Sequence, residues 1–141
     1  MSIEHNLDVA RTFYDLLARK EVEKWGELWH PDGTILIPYP PEGFADTISG
    51  KDEIVTAFHG LMANYDTFES TLSALYPSAD SESVVVEYTN NARLVDGTVY
   101  TNSNIAVFRF SDGLIRWYHD YFDPRRFQVV IDFFNRRQPG Q

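Results

Sequence analysis

The hydrophobic period changes once along this 141-residue chain, near residue 65, and that change limits what it can fold into. On the N-terminal side Leu7, Ala10, Phe13, Tyr14 and Leu17 recur at helical spacing, predicting a first helix from about Asn6 to Arg19 with one broad apolar face. Val22, Trp25, Leu28 and Trp29 repeat the pattern in a shorter helix that Pro31, Asp32 and Gly33 stop. Thr34 to Ile37 reads as a short strand, which Pro38, Pro40 and Pro41 keep from continuing as a central one, and a long loop runs on through Phe44. Ser49, Gly50, Asp52 and Glu53 open a third helix, ending near Asn64, with Ile54, Ala57, Phe58, Leu61 and Met62 as its buried stripe.

Beyond that helix the period is two. Strands are expected from about Thr67 to Leu75, Ser83 to Leu94, Thr98 to Phe110 and Leu114 to Phe122. The turns Asp96-Gly97 and Ser111-Asp112-Gly113 between them imply an antiparallel meander. Asp123 before Pro124 has the pattern of an N-cap and first helical residue, so a short last helix follows through Val130 and Phe133, and Gln138 to Gln141 reads as an untethered tail. The order helix, helix, short strand, helix, then four strands is α+β, with helices on one face of a curved sheet and one domain over residues 1–141.

Composition removes several function classes. A formal charge of -9 disfavours a nucleic-acid binder, because phosphate tracking needs clustered cations, and the one basic concentration, Arg125, Arg126, Arg136 and Arg137, reads as solvated helix ends. No cysteine is available for a disulfide or a thiolate nucleophile. The N-terminal residues lack a basic and apolar leader pattern and no apolar run is long enough to span a membrane, so a cytoplasmic protein is expected. His5, His30, His59 and His119 form no metal-spaced cluster with the acids, and there is no Gly-rich phosphate loop or Gly-x-Ser-x-Gly elbow; neither metal nor cofactor is expected. Aromatic residues make up 15% of the chain, a share that suits a deep hydrophobic cavity or an apolar subunit interface.

The stretch from Arg116 to Phe127 carries the chemistry. It sets an acid and an imidazole in an aromatic strand pattern, and alternation sends Tyr118, Asp120 and Phe122 to one face and Trp117, His119 and Tyr121 to the other. A carboxylate flanked by two rings is a candidate general acid or base, since desolvation raises its pKa towards neutral pH. Asn102, Asn104, Ala106 and Phe108 share one face of the preceding strand, and Val85, Glu87 and Thr89 one face of the strand before that. On this register Glu87 joins Asp120 as the second carboxylate of a proton-transfer pair, and Asn104 donates to a developing enolate oxygen.

The element order, Ser49-Gly50-Lys51-Asp52-Glu53-Ile54 before the third helix, and the Asp112-Gly113 turn leading through Trp117 to Asp123 together resemble the NTF2-like superfamily. Within it the chain is most similar to the SnoaL-like polyketide cyclase, limonene-epoxide hydrolase and phenazine-biosynthesis branch. The resemblance implies a cone, in which a curved, mostly antiparallel sheet wraps N-terminal helices around a deep apolar pocket, and a homodimer through the sheet's outer face. The family's strand acid falls on Asp120. The Asp-Arg-Asp set of the epoxide hydrolases is not matched, since His119 stands where their Arg precedes the acid and Glu87 and Thr89 fall near their other two positions. The reading is therefore a small cofactor-free enzyme performing acid/base cyclisation or isomerisation on a hydrophobic carbonyl-bearing metabolite. Asp120 and Glu87 are catalytic in it, and Tyr14, Ile37, Tyr39, Phe58, Asn104, Phe108 and Tyr118 contact the substrate. The alternatives are a non-catalytic ligand-binding or assembly protein and an altered epoxide hydrolase using Glu87.

Overall fold

A computed structural model describes residues 2–137; the tail expected at Gln138 to Gln141 lies outside them. The elements are α1 Ile3–Ala18, α2 Val22–Gly26, β1 Trp29–Leu36, β2 Thr47–Ser49, α3 Lys51–Met62, β3 Tyr65–Pro77, β4 Ser83–Leu94, β5 Val99–Ser111, β6 Leu114–Phe122 and α4 Gln128–Arg137. Six strands form one open, curved sheet in the order β2-β1-β6-β5-β4-β3. Strands β1 and β6 run parallel, and the remaining pairs are antiparallel.

Local chemistry explains where the elements begin and end. Helix α1 starts earlier than its apolar stripe because the Ser2 hydroxyl accepts the His5 N–H at 3.1 Å, capping a first turn that holds Glu4. The β5–β6 hairpin pairs Ser111 with Leu114 across Asp112 (φ 54) and Gly113 (φ 77), a two-residue turn with both central residues left-handed, which matches strand twist. The last helix departs from expectation. Asp123 accepts the Arg125 N–H at 2.9 Å and holds a turn over residues 124–127, so α4 itself begins only at Gln128.

The second helix is also corrected. It stops at Gly26, and Trp29 opens β1 rather than ending α2. Pro31, Asp32 and Gly33 lie in the irregularity of β1 between Trp29 and Thr34, where the pairing with β6 shifts register. Only glycine fits at position 33, because a Cβ there would lie 2.6 Å from the Trp29 ring and 3.1 Å from the Ile115 carbonyl oxygen. The bulge turns Trp29 into the core, where it is fully buried.

Helix α1 packs on β3 and β4, and α3 on β1. Under α1 the concave face is filled by interlocking rings: Phe13 stands edge-on to Phe108 at 5.0 Å and stacks on Tyr118 at 4.7 Å, while Trp25 meets Trp29 at 5.6 Å. Helix α3 behaves differently. Ile54 and Met62 are buried, but Ala57 is exposed and Phe58 and Leu61 are half-buried, because that part of the expected stripe borders open space instead of packed side chains.

Candidate functional site

That open space is a cavity of about 290 Å³ between the concave sheet face, α1, α3 and the segment following β1. It sits at the small end of ligand-binding pockets, roughly 300–1,000 Å³. Ile35, Ile48, Phe58, Leu61, Phe68 and Phe122 give it apolar walls, and among the described residues no Lys, Arg or His lines it. Phe44 stands at its border, half-exposed, with its ring edge-on to Phe127 at 5.5 Å and stacked over Phe134 at 6.2 Å.

Asp120 is the cavity's one carboxylate among the described residues. Alternation along β6 points it inward with Tyr118 and Phe122, and its cross-strand partner Ala106 is small enough to leave the carboxylate room. The Tyr88 hydroxyl donates to Oδ1 at 2.9 Å, and Asn104 Nδ2 reaches both carboxylate oxygens at 3.3 and 3.4 Å. Burial pushes the Asp120 pKa up to about 6, with the hydrogen bonds from Tyr88 and Asn104 restraining the rise. The cavity leaves the side chain part-exposed to whatever fills it, while protein crowds it on the other sides.

Behind Asp120 runs a chain of phenols. Tyr88 and Tyr118 lie 3.1 Å apart, and Tyr118 and Tyr14 3.2 Å apart. Each phenol has one proton and Tyr88 spends its own on Asp120, so with the acid ionised Tyr118 donates to Tyr88 and Tyr14 to Tyr118. Burial, and then the charge of Asp120, hold all three hydroxyls well above the usual tyrosine pKa. They serve as neutral donors that fix the carboxylate.

Of the residues singled out from the sequence, Tyr14, Ile37, Phe58, Asn104, Tyr118 and Asp120 are brought together around this cavity. Glu87 is not: it faces the outer side of the sheet, where the Tyr76 hydroxyl donates to its Oε2 at 2.9 Å. The inward set on β4 is Val84, Val86, Tyr88, Asn90, Ala92 and Leu94, one residue out of step with the expected register. The whole strand carries the signal, because Glu87, Thr89, Asn91 and Arg93 form a polar set and the alternate set is mainly apolar. Tyr39 also stands outside, 65% exposed, with its ring 6.2 Å from Tyr121, since the prolines end β1 and turn the chain outward. Phe108 is wholly buried beneath the cavity, with its ring 4.9 Å from Tyr118, and does not line it. His119 points to the other face from Asp120, opposite Val107 and Leu36. Among the described residues no three of His, Asp and Glu gather as a metal set, and no helix is long and apolar enough to cross a membrane. Tyr88, Ser70, Asn90, Tyr65 and Tyr100, all bordering the cavity, were missed from the sequence.

Comparison with known proteins agrees with this architecture. YesE from Bacillus subtilis (strain 168), itself uncharacterised, is 30% identical over 122 residues, 86% of this chain and 83% of that protein. A crystal structure from Bacillus subtilis, provisionally named an isomerase, superposes with a TM-score of 0.83 at 28% identity, covering 94% of this chain and 96% of that one. RV0760c from Mycobacterium tuberculosis, crystallised with estradiol-17β-hemisuccinate, shares the fold at a TM-score of 0.75 and 16% identity, over 84% of this chain and 94% of that one. A family model described as the SnoaL-like domain matches residues 10–118, and the chain therefore belongs to the SnoaL-like family and has its NTF2-like α+β fold.

Proposed function

We propose that the protein binds a hydrophobic, carbonyl-bearing small molecule in the cavity and uses Asp120 as a general base to isomerise or cyclise it. The observation that carries this reading is the placement of Asp120: a carboxylate with a pKa raised to about 6, held by Tyr88 in an apolar cavity. Oδ1 is tied to Tyr88, whereas Oδ2 has only the long contact from Asn104, so Oδ2 is the oxygen available to the ligand. In the step envisaged, Oδ2 takes a proton from the carbon next to the carbonyl, the C–H electron pair becomes the C=C bond of an enolate, and the C=O π pair moves onto the oxygen. Protonation of Asp120 weakens its hold on the Asn104 amide, whose N–H can then donate to the enolate oxygen. The steroid ester bound by RV0760c and the isomerase name of the Bacillus subtilis neighbour support a ligand of this kind.

The test is deuterium exchange into the carbon acid 2-tetralone in D2O, followed by NMR. The wild-type protein accelerates exchange over buffer and Asp120→Asn lowers that acceleration by about 100-fold or more. Equal exchange with both proteins removes the catalytic assignment.

A ligand-binding and assembly role is the second reading, and it has its own observation. The convex sheet face exposes Trp117 (38%), Ile105 (44%) and Tyr76 (52%), with no helix or strand of the described residues over them. We propose that two copies pair there as a homodimer. A monomeric mass in dilute solution by light scattering would refute it. Epoxide hydrolysis through Glu87 is not proposed, because Glu87 and Asp120 lie on opposite faces of the sheet.

A further inference from the structure

The cavity contains polar atoms that the Asp120 step does not use. Asn90 is 8% exposed; its Oδ1 accepts the Ser70 hydroxyl at 2.8 Å, and its Nδ2 has no partner among the described residues. Tyr100 is 3% exposed; its hydroxyl accepts Asn102 Nδ2 at 2.9 Å and has no acceptor among the described residues. Tyr65, 1% exposed, has a hydroxyl with no hydrogen bond among the described residues. All three side chains border the cavity. Each of the buried tyrosines holds its phenol against the cost of burial, and a buried donor normally finds an acceptor.

Strand register places this group. Asn90 pairs with Asn102 and Tyr88 with Asn104, so Asn90 lies two residues along β4 from Tyr88, the phenol that holds Asp120. Two strand residues span about 7 Å. The two ends also differ in chemistry. At the Asp120 end the unspent atoms are acceptors, since Asn104 Oδ1 is buried with no partner and Asp120 is a carboxylate. At the far end they are donors: two phenol protons and an amide. Among the described residues no Lys, Arg or His lines the cavity at either end.

We infer that Tyr65, Asn90 and Tyr100 form a second polar subsite, which takes an uncharged acceptor oxygen of the ligand, a ketone or a comparable carbonyl. The ligand class is then a compact hydrophobic molecule carrying two oxygen functions at opposite ends of an apolar body. One end presents its carbonyl and adjacent C–H to Asp120 and Asn104, and the other is gripped by the phenols and the Asn90 amide. The inference rests on the Asp120 reading for the identity of the reacting end, and it adds the orientation: a ligand held at both ends has one carbon facing Oδ2. An apolar cavity alone would give no such choice.

Two probes of equal heavy-atom count separate these cases. 1,4-Diacetylbenzene has carbonyls at both ends, spaced on the scale of the two anchors, and 4′-isopropylacetophenone replaces one with an apolar branch of the same shape. A merely apolar wall favours the isopropyl compound. The subsite predicts the reverse: calorimetry with the wild-type protein gives about fivefold or tighter binding of the diketone, because an unmatched buried donor penalises the analogue. The Tyr65→Phe/Tyr100→Phe double variant loses that preference, because 4′-isopropylacetophenone binds more tightly once the unmatched donors are gone, and Asn90→Leu lowers it in the same way. Equal or tighter binding of the isopropyl compound by the wild type, or no binding of either, overturns the subsite, and so does a preference that survives in both variants. The wild-type ranking needs no variant to fold. Since Asp120 is intact throughout, failure here is distinct from failure of the exchange experiment, which reads Asp120 alone.

Discussion

The concave face of the sheet has two halves built by the same alternation and used in opposite ways. Beneath α1 and α2 the inward residues meet large rings, and Phe13, Trp25, Trp29, Phe108 and Ile115 are each no more than 1% exposed. Under α3 and the segment after β1 the inward residues are Tyr88, Asn90, Asn104 and Asp120, and the helix above presents Ala57, Phe58 and Leu61 across a gap. A packed half resists change in volume, whereas a hollow half tolerates polar groups because they can meet a ligand or water. The acid is thus carried on a sheet face whose stability is supplied by its neighbour.

If that division is right, the two halves respond differently to truncation. Phe13→Ala, in the packed half, removes a ring that touches Tyr14, Trp25, Phe108 and Tyr118, and it should cost about 3–5 kcal/mol in chemical denaturation. A cost below about 1 kcal/mol would mean that the packed half is not the stabilising one.

In the hollow half the sign reverses. The Asp120 pKa is raised to about 6 from 3.8, so between these values the folded protein binds more protons than the unfolded chain and stability falls as pH rises. The burden is absent below pH 4 and complete above pH 6. Asp120→Asn should therefore be more stable than wild type at pH 8, by at most about 3 kcal/mol and less where cavity water solvates the charge, with the difference vanishing near pH 4. Loss of stability at pH 8 would mean that the carboxylate is a structural asset. The convex face supplies the smallest effect: Glu87→Gln leaves the Tyr76 contact exposed to solvent, and should shift stability by under about 0.5 kcal/mol and leave 2-tetralone exchange unchanged.

How far this division was legible in the sequence differs by strand. On β6 and β5 the acid and the aspargine stand among rings and small residues, and local alternation alone turns Asp120 and Asn104 inward. On β4 three residues were too few to choose a face; Val85 is as apolar as Val84, and only the polar run at Glu87, Thr89, Asn91 and Arg93 decides it. The spacing of Trp29 from Trp25 is helical, whereas the bulge that turns Trp29 inward, with Gly33 against its ring, is set by pairing with β6 at Ile115, a tertiary contact with no local signature. The donor end at Tyr65, Asn90 and Tyr100 is drawn from three strands, so it exists only through register. Helix α3 shows the converse, since its apolar stripe is real but borders a cavity, a distinction periodicity does not carry.

The most direct test of the central claim is the pH dependence of 2-tetralone exchange by the wild-type protein. A working base must be ionised, so the account predicts a rate that rises with pH, inflects near 6 and levels above it, with the inflection absent in Asp120→Asn. A protein-catalysed rate that is flat through pH 6, or an inflection that persists in Asp120→Asn, would contradict it.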